Sequence, residues 1–317
     1  MEHLVFSLDA TMPAFLLMLF GMVLRRTRVI DDAFAARLNA FVFHVALPVL
    51  LFGDMAAIDF DEGWDGSFVA VCFGLTAACI AVAVMLSFFV TRKADRGEFI
   101  QASYRSSAAL LGIALMQNMY GSSAMAALMI VGAVPLYNVA AVFALAFTSD
   151  ESRRQGATAR SRLASSLRGI VSNPIIIGIV AGFLWAVMRL PMPHIATSLI
   201  DSVGGLAAPL GLMAMGAMFD LRRASGRLRP ALWASAVKLV GLAALLLPAA
   251  VVLGIRGEAL AAIAVMLGSP TTVSCFVMAR AMGHDGILSS TAVMATTLGS
   301  AFTLTAWLFL LRSCALI

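Results

Sequence analysis

Long apolar runs separated by short polar segments dominate this chain from its first residues to its last. Each run is close to the length of about 20 residues that an α-helix needs to cross the hydrocarbon core of a bilayer. The pattern therefore predicts an all-α polytopic membrane protein with ten transmembrane helices. The predicted spans are 4–24, 34–54, 67–90, 99–118, 123–147, 170–188, 196–219, 231–253, 258–281 and 287–311.

Lysine and arginine collect in alternate loops between the predicted spans. One set of loops holds Arg25, Arg26, Arg28, Arg37, Arg92, Lys93, Arg96, Arg153, Arg154, Arg160, Arg162, Arg168, Arg222, Arg223, Arg227 and Arg229. The opposite set holds little beyond Arg189, Arg256 and Arg312, and it includes the acidic loop with Asp59, Asp61, Glu62 and Asp65. Basic loops stay in the cytoplasm, so both termini are expected outside it.

The longest loop, at 149–169, divides the spans into two sets of five. Because five is an odd number, the second set must enter the membrane upside down relative to the first. A fixed offset of 161 residues matches Pro13 with Pro174, Gly21 with Gly182, and Pro48 with Pro209. The chain is therefore predicted to consist of a five-helix repeat at 1–148, a cytoplasmic linker at 149–169 and an inverted five-helix repeat at 170–317.

The ninth span is interrupted at its centre, although the whole stretch from 258 to 281 is apolar enough to cross a bilayer. The interruption consists of Gly268, Ser269, Pro270, Thr271 and Thr272. Proline removes a backbone donor and clashes with the preceding turn, so the helix should break or kink there. Secondary transporters commonly build binding sites from such broken helices, whereas the alternative is a kink that only shapes packing.

The fourth span occupies the corresponding place in the first half and is unusually polar. It contains Tyr104, Arg105, Ser106, Ser107, Gly112, Gln117 and Asn118. We predict a second break near Gly112, seven residues after Arg105. In an inverted pair, each broken span brings one half-helix amino terminus to the centre of the membrane. Those ends carry partial positive charge and free N–H groups, which suits an anion.

Composition agrees with this class, since 61% of the residues are hydrophobic, 12% are charged and the mean hydropathy is +0.96. Lipid must be the solvent for most of such a chain. The net charge of +5 does not indicate nucleic acid, because the basic residues lie in short loops. The four cysteines, Cys72, Cys79, Cys275 and Cys314, lack metal-ligand spacing. We therefore predict no metal site, no cofactor and no disulfide framework.

Three ionisable residues within the spans have two interpretations each. Arg105 either contacts a carboxylate in bidentate fashion or extends to the cytoplasmic interface. For Lys238, in the eighth span, we favour extension to the interface. His44, in the second span, is interpreted as a neutral packing residue, with proton coupling as the alternative.

The candidate substrate-binding residues all belong to the predicted crossover region. They are Arg105, Ser106, Ser107, Gly112, Asn138, Gly268, Ser269, Pro270, Thr271 and Thr272. Some of these polar groups, together with Ser274, will line a cavity, whereas others will only bond neighbouring helices.

Several short motifs, in their order and spacing, resemble the auxin efflux carrier family. They are LNAFVF at 38–43, LPVLLF at 47–52, RS at 105–106 with LGIAL at 111–115, PLYN at 135–138, SNP at 172–174, PL at 209–210 and MGA at 215–217. The similarity extends over essentially the whole chain. That family includes plant auxin exporters and bacterial carriers assigned to malonate and related carboxylates.

The resemblance implies a ten-helix fold like that of bile acid and sodium symporters, with broken crossover helices 4 and 9 and an elevator-like motion. It also implies a bacterial inner membrane location and, as in some relatives, a homodimer. The family often shows Asn and then Pro near the fourth-span crossover, where this chain has Ser107 and Ala114. Substrate contacts therefore do not carry over from the family to this chain.

Three classes of function are compatible with a polytopic membrane chain. A secondary carrier of a small organic anion, such as malonate or an auxin-like acid, fits the central polar patch, and its coupling ion would be a proton or sodium. An anion channel requires a polar stripe through the full depth. An intramembrane enzyme requires catalytic groups in one register, whereas His3, His44, His194 and His284 are scattered. The sequence therefore favours the carrier.

Overall fold

The structure of the protein is a computed structural model in which residues 2–58, 64–148 and 171–317 are described. Within these ranges, the side chains of residues 2–11, 109–111, 221 and 223 are not described. The predicted linker at 149–169 and the acidic residues Asp59, Asp61 and Glu62 lie outside the described residues.

The described residues form an all-helical protein. The helices are α1 Glu2–Arg26, α2 Asp32–Ala56, α3 Gly66–Ser87, α4 Arg96–Tyr104, α5 Ala108–Tyr120, α6 Ala124–Thr148, α7 Pro174–Val187, α8 His194–Met218, α9 Leu228–Val252, α10 Gly257–Gly268, α11 Ser274–Ala281 and α12 Ile287–Ser313. Two short connectors, Lys93–Asp95 and Leu221–Ser225, precede α4 and α9.

Six helices of the described residues are long and apolar enough to cross a membrane: α2, α3, α6, α8, α9 and α12. Two shorter helices, α7 and α10, are also apolar. Together these helices confirm the predicted class, a polytopic α-helical membrane protein. The apolar surface agrees with a lipid environment, since large side chains such as Phe89 and Phe309 are about three-quarters exposed, at 75% and 73%.

The helices pack in two groups. In the first group, α1 lies against α8, and α2 lies against both α7 and α8. The second group contains α3 to α6 and α9 to α12, with α10 packed on α5, α6, α9 and α12. The helix α1 also contacts α12, and α11 contacts both α2 and α8, so the two groups meet along these helices.

Glycines bring the backbones of the first group into close contact. A Cβ atom added to Gly21 of α1 would lie 2.2 Å from the carbonyl oxygen of Met213 in α8. A Cβ atom added to Gly182 of α7 would lie 2.4 Å from the carbonyl oxygen of Phe52 in α2. Helices in lipid associate through such small residues because the bilayer provides no hydrophobic drive.

Two of the long helices contain a wide turn with i→i+5 hydrogen bonds. In α2 the turn is Val42–Ala46, where Leu47 N–H donates to Val42 O. In α9 it is Val237–Gly241, where Leu242 N–H donates to Val237 O. Such turns rotate the following side chains relative to a regular helix and often occur at functional sites. The two turns contain His44 and Lys238, respectively.

The amino terminus of α12 is held by a buried carboxylate from α4. Glu98 is 1% exposed, and its two oxygens accept from Gly286 N–H at 3.0 Å and Ser289 N–H at 2.8 Å. A carboxylate at this position satisfies free N–H groups and complements the helix dipole. This contact joins α4 to α12.

Candidate crossover site

The two interrupted segments meet in the interior of the protein. In the predicted fourth span the helix stops at Tyr104 and resumes at Ala108, and in the predicted ninth span it stops at Gly268 and resumes at Ser274. The extended segments touch directly, since Ser107 N–H donates to Pro270 O at 2.8 Å. Two helix carboxyl termini and two helix amino termini therefore converge at one place.

The location of the first break differs from the prediction. It comprises 105–107, whereas Gly112 lies inside α5. A Cβ atom at Gly112 would lie 3.0 Å from Met129 Cε, so this glycine allows α5 to pack on α6. Arg105 is consequently part of the break itself, not a helical residue some two turns before it.

The carboxyl terminus of α10 is completed by side chains from elsewhere in the chain. In a continuous helix, Met266 O would accept from the N–H of residue 270, which proline lacks. Ser106 Oγ donates to this oxygen at 2.6 Å, and Lys238 Nζ lies 3.3 Å from it. Lys238 Nζ also donates to Leu267 O at 2.5 Å. The break removes helix hydrogen bonds, and these two residues replace them.

The carboxyl terminus of α4 is completed in the same manner by the second break. Thr271 Oγ1 donates to Ala102 O at 2.8 Å, and Thr271 N–H donates to Thr296 Oγ1 of α12 at 3.1 Å. The hydroxyls of Ser106 and Ser269 also form a short hydrogen bond. All four of these crossover side chains, Ser106, Ser269, Thr271 and Thr296, are at least 94% buried.

Arg105 is buried at the crossover, with 2% of its surface exposed. Its Nη2 donates to Asn138 Oδ1 at 2.8 Å and to Ser274 Oγ at 2.7 Å, and its Nη1 lies 2.6 Å from Met278 Sδ. The interpretation in which Arg105 extends to the cytoplasmic interface is therefore wrong, because three neutral partners hold the guanidinium inside the protein.

No carboxylate among the described residues forms an ion pair with Arg105. Its Nε is buried without a hydrogen-bond partner in the described part of the chain. A buried guanidinium with neutral neighbours retains much of its attraction for an anion, because the protein interior screens charge weakly.

A cavity of about 100 Å³ lies beside Arg105. Its walls come from α2, α6, α8, the first residue of α11 and both breaks. The polar lining residues are Asp54, Arg105, Ser106, Ser107, Tyr137, Asn138, Thr272 and Ser274. Leu47, Leu50, Leu51, Val134, Ala207, Ala208 and Val273 form the apolar remainder. Such a mixture of apolar walls and a few convergent polar groups is typical of small-molecule sites.

The amino termini of α5 and α11 both begin at this cavity. Ser107, the residue before α5, and Ser274, the first residue of α11, line it. The positive ends of two helix dipoles thus lie near the Arg105 guanidinium. The electrostatics of the cavity favour a ligand with negative charge.

The structure brings most of the predicted site residues together. Arg105, Ser106, Ser107, Asn138 and Thr272 line the cavity. Ser269, Pro270 and Thr271 belong to the second break but do not line the cavity. Gly268 is the last residue of α10, and a Cβ atom there would lie 3.1 Å from Leu304 Cδ1. Gly112 belongs to helix packing instead.

Neither His44 nor Lys238 lines the crossover cavity. His44 is exposed on α2, with Nδ1 2.9 Å from Ala40 O of its own helix, and it does not line the crossover cavity. Lys238 was expected to extend to the membrane interface, and this was wrong. It is 0% exposed and bonds the carboxyl terminus of α10.

Sequence reasoning missed Asp54 as a residue of the site. It lies near the end of α2 and lines the same cavity as Arg105. An acidic residue at the end of a long apolar run was the available signal, because intramembrane charges are costly and tend to serve function.

An all-helical membrane chain with two crossed breaks and a charged interior cavity defines a transport protein. Sequence comparison agrees with this class. The family described as membrane transport protein matches residues 6–308. The chain therefore belongs to this family, which contains the auxin efflux carriers, and it is a transporter and not an enzyme.

A curated relative supports the same class. The chain is 28% identical over 297 residues to a protein of Rhizobium meliloti (strain 1021) named "Putative malonate transporter". The aligned region covers 88% of each of the two chains.

Proposed function

We propose that the protein is a secondary carrier that moves a small organic carboxylate across the bacterial inner membrane by alternating access. The observation that carries this proposal is the buried Arg105 guanidinium, which lines an interior cavity and has only neutral partners among the described residues. A carboxylate could accept from the remaining N–H groups of Arg105, and the positive ends of the α5 and α11 dipoles would favour its charge.

The malonate assignment of the Rhizobium relative suggests a substrate class for this chain. We propose malonate or a similar short acid, with auxin-like acids as the wider class. One carboxylate of malonate would contact Arg105, and Asp54 on the same cavity wall would oppose a second negative charge. The site therefore favours a monoanion, in which the far carboxyl group carries a proton or is absent.

The proposed architecture is ten spans arranged as two inverted five-helix repeats, 1–148 and 170–317, joined by the linker at 149–169. The close approaches of Gly21 to Met213 and of Gly182 to Phe52 support it. Adding 161 to 21 gives 182, and adding 161 to 52 gives 213. The two contacts are thus related by the offset that matches prolines between the halves.

The proposal includes an orientation with both termini in the periplasm, and a homodimer as in some relatives. A cysteine at position 190 should react with an impermeant reagent from outside, whereas cysteines at 93 and 225 should not. Cys314 is exposed and has to be replaced first, whereas Cys72, Cys79 and Cys275 are buried. If the cysteine at position 225 is labelled from outside in intact cells, the proposed orientation is wrong.

A carrier is favoured over an anion channel because most of the polar residues that line the cavity lie in or next to the two breaks. The wall of the cavity along α2 is mostly apolar, with Leu47, Leu50 and Leu51. A channel would need polar or charged groups along the full depth. A proton is the coupling ion that fits a monoanionic form of a dicarboxylate.

The test uses purified protein in liposomes, with counterflow of labelled malonate. Saturable exchange of external against internal malonate is expected for a carrier, and non-saturable leak would indicate a channel. Acids should compete for uptake, whereas their neutral esters should not. The Arg105→Gln variant should lose affinity by about tenfold or more, since a hydrogen bond to a charged group contributes about 1.5–3 kcal/mol. Equal competition by acid and ester would exclude the anion site.

A further inference from the structure

A completely buried lysine lies against the end of the broken helix α10. Lys238 is 0% exposed, and its Nζ donates to Leu267 O at 2.5 Å and lies 3.3 Å from Met266 O. Both carbonyls belong to the last turn of α10, which ends at Gly268. The ammonium group is therefore bound by backbone oxygens in the interior, next to the crossover.

The carboxyl terminus of a helix in the interior of a protein attracts a cation. Its last carbonyls have no N–H partners within the helix and carry the negative end of the helix dipole. Pro270 has no N–H to offer Met266 O, and Thr271 N–H is directed to Thr296 Oγ1 instead of Leu267 O. Two carbonyl oxygens thus point toward the position that the ammonium occupies.

The backbone of α9 is shaped to place this ammonium. Lys238 is the second residue of the wide turn Val237–Gly241. Trp307 Nε1 of α12 donates to Leu239 O of the same turn at 2.9 Å, so the altered backbone has a partner of its own. An additional hydrogen bond from another helix stabilises a turn that would otherwise cost helix hydrogen bonds.

The presence of a lysine at position 238, and not an arginine, is also informative. The chain has 22 basic residues, of which only Lys93 and Lys238 are lysines. An ammonium is a compact point charge, whereas a guanidinium is a broad planar group suited to carboxylates. Among the residues that the structure describes, no carboxylate pairs with Lys238. Backbone carbonyls are therefore its main charge-compensating partners, as they would be for a small metal cation.

We propose that this place is a monovalent-cation site whose cation is tethered to the chain. The ammonium of Lys238 takes the position that a free alkali-metal ion would hold at the end of α10. Because the tethered cation cannot dissociate, no sodium ion binds at this position and none is carried across by it. This inference extends the proposed function, but it concerns the crossover alone and does not depend on the identity of the substrate.

The test measures the thermal stability of purified protein without substrate, in chloride salts at constant ionic strength. The wild type should have the same Tm in Na⁺, Li⁺, K⁺ and choline. Lys238→Ala should have a lower Tm in choline and should regain about 3 °C or more in Na⁺, Li⁺ or methylammonium. Tetramethylammonium has the same charge but is too large to reach the carbonyl oxygens, so it should not restore the Tm of Lys238→Ala.

Two further variants separate the charge from the space that the side chain fills. Lys238→Met keeps the length without the charge, so it should be destabilised and should not respond to any cation. Lys93→Ala, in the exposed connector before α4, should behave like the wild type.

Several outcomes would overturn the proposal. A sodium-dependent Tm of the wild type would show a free alkali-ion site, and this measurement needs no variant. A destabilised Lys238→Ala that responds to no cation would make Lys238 a structural hydrogen-bond donor only. A Lys238→Met variant as stable as the wild type would show that the charge is not needed. Because the readout contains no substrate, a failure here is distinct from a failure of malonate exchange.

Discussion

Ser106 and Thr271 perform the same task on opposite half-helices. Ser106, from the first break, donates to Met266 O of α10 at 2.6 Å, and Thr271, from the second break, donates to Ala102 O of α4 at 2.8 Å. Each broken helix is thus completed by a hydroxyl from the other. The crossover is a reciprocal arrangement, because each of these half-helix ends receives a hydroxyl from the other half of the chain.

Removal of one of these hydroxyls should lower stability. Thr271→Val keeps the shape of the side chain but leaves Ala102 O buried without its donor, which costs about 1–3 kcal/mol. Thr271→Ser keeps the donor and should be close to the wild type in Tm. Thr27, whose hydroxyl bonds its own exposed helix end, offers the matched control Thr27→Val. Equal Tm values for Thr271→Val and Thr27→Val would contradict the assigned role.

Pro270→Ala should reduce transport far more than it reduces the amount of folded protein. The new backbone N–H can bond Met266 O and extend α10 into the crossover, in competition with Ser106 and Lys238. We expect malonate counterflow to fall by about tenfold, which corresponds to about 1.4 kcal/mol. Pro248→Ala, at an exposed position in α9, is the control and should retain counterflow. If Pro270→Ala exchanges malonate at the wild-type rate, the break at Pro270 is not needed for transport.

Asn138→Asp should block anion binding without unfolding the protein. The change replaces the amide that accepts from Arg105 at 2.8 Å with a carboxylate, which then neutralises the guanidinium in place. We expect the affinity for malonate, measured by thermal shift, to fall by about tenfold or more, and the ligand-free Tm to be maintained. Malonate binding at wild-type affinity would show that the anion contacts other groups.

Asp54→Asn should change the charge preference of the cavity. The variant removes the carboxylate that shares the cavity with Arg105. It should bind dianionic malonate more tightly, and its uptake should depend less on acidic pH than that of the wild type. The measurement is counterflow across a pH series, with a monocarboxylate as the reference substrate. An unchanged pH profile would mean that Asp54 does not oppose the second charge.

The glycines of the first helix group should tolerate no side chain. Gly21→Ala and Gly182→Ala each place a methyl group within 2.4 Å of a backbone oxygen. Both variants should lose Tm and yield of folded protein in size-exclusion chromatography. Gly74→Ala, in α3, meets no atom within 4 Å and should be neutral or stabilising by about 0.5–1 kcal/mol. A loss at Gly74→Ala equal to the losses at Gly21→Ala and Gly182→Ala would contradict the assigned backbone contacts, because helix propensity by itself favours alanine over glycine.

The sequence predicts the position of the second break but not that of the first, for a physical reason. Pro270 marks the second break because it cannot donate a helix hydrogen bond. The first break has neither proline nor glycine, and tertiary contacts maintain it, such as Ser107 N–H to Pro270 O. Gly112 was therefore a misleading signal.

Buried charges were equally difficult to place from sequence. Lys238 and Arg105 have side chains long enough to reach an interface, and length alone favours that interpretation. Their actual partners, the carbonyls of α10 and the side chains of Asn138 and Ser274, are determined by neighbours far away in the chain. The class of protein and most of the crossover residues, by contrast, follow from hydrophobic pattern and proline position.

The packing of α1 on α8 has a consequence for how the protein is made. The ribosome completes α1 at Arg26 long before it reaches His194, where α8 begins. Likewise α2 must wait for α7 before the contact at Gly182 can form. During synthesis, α1 and α2 therefore stay in the membrane with their main helix partners missing. We expect a nascent chain stalled near residue 148 to bind the insertion machinery persistently, because α1 and α2 pack mainly on helices that are not yet translated.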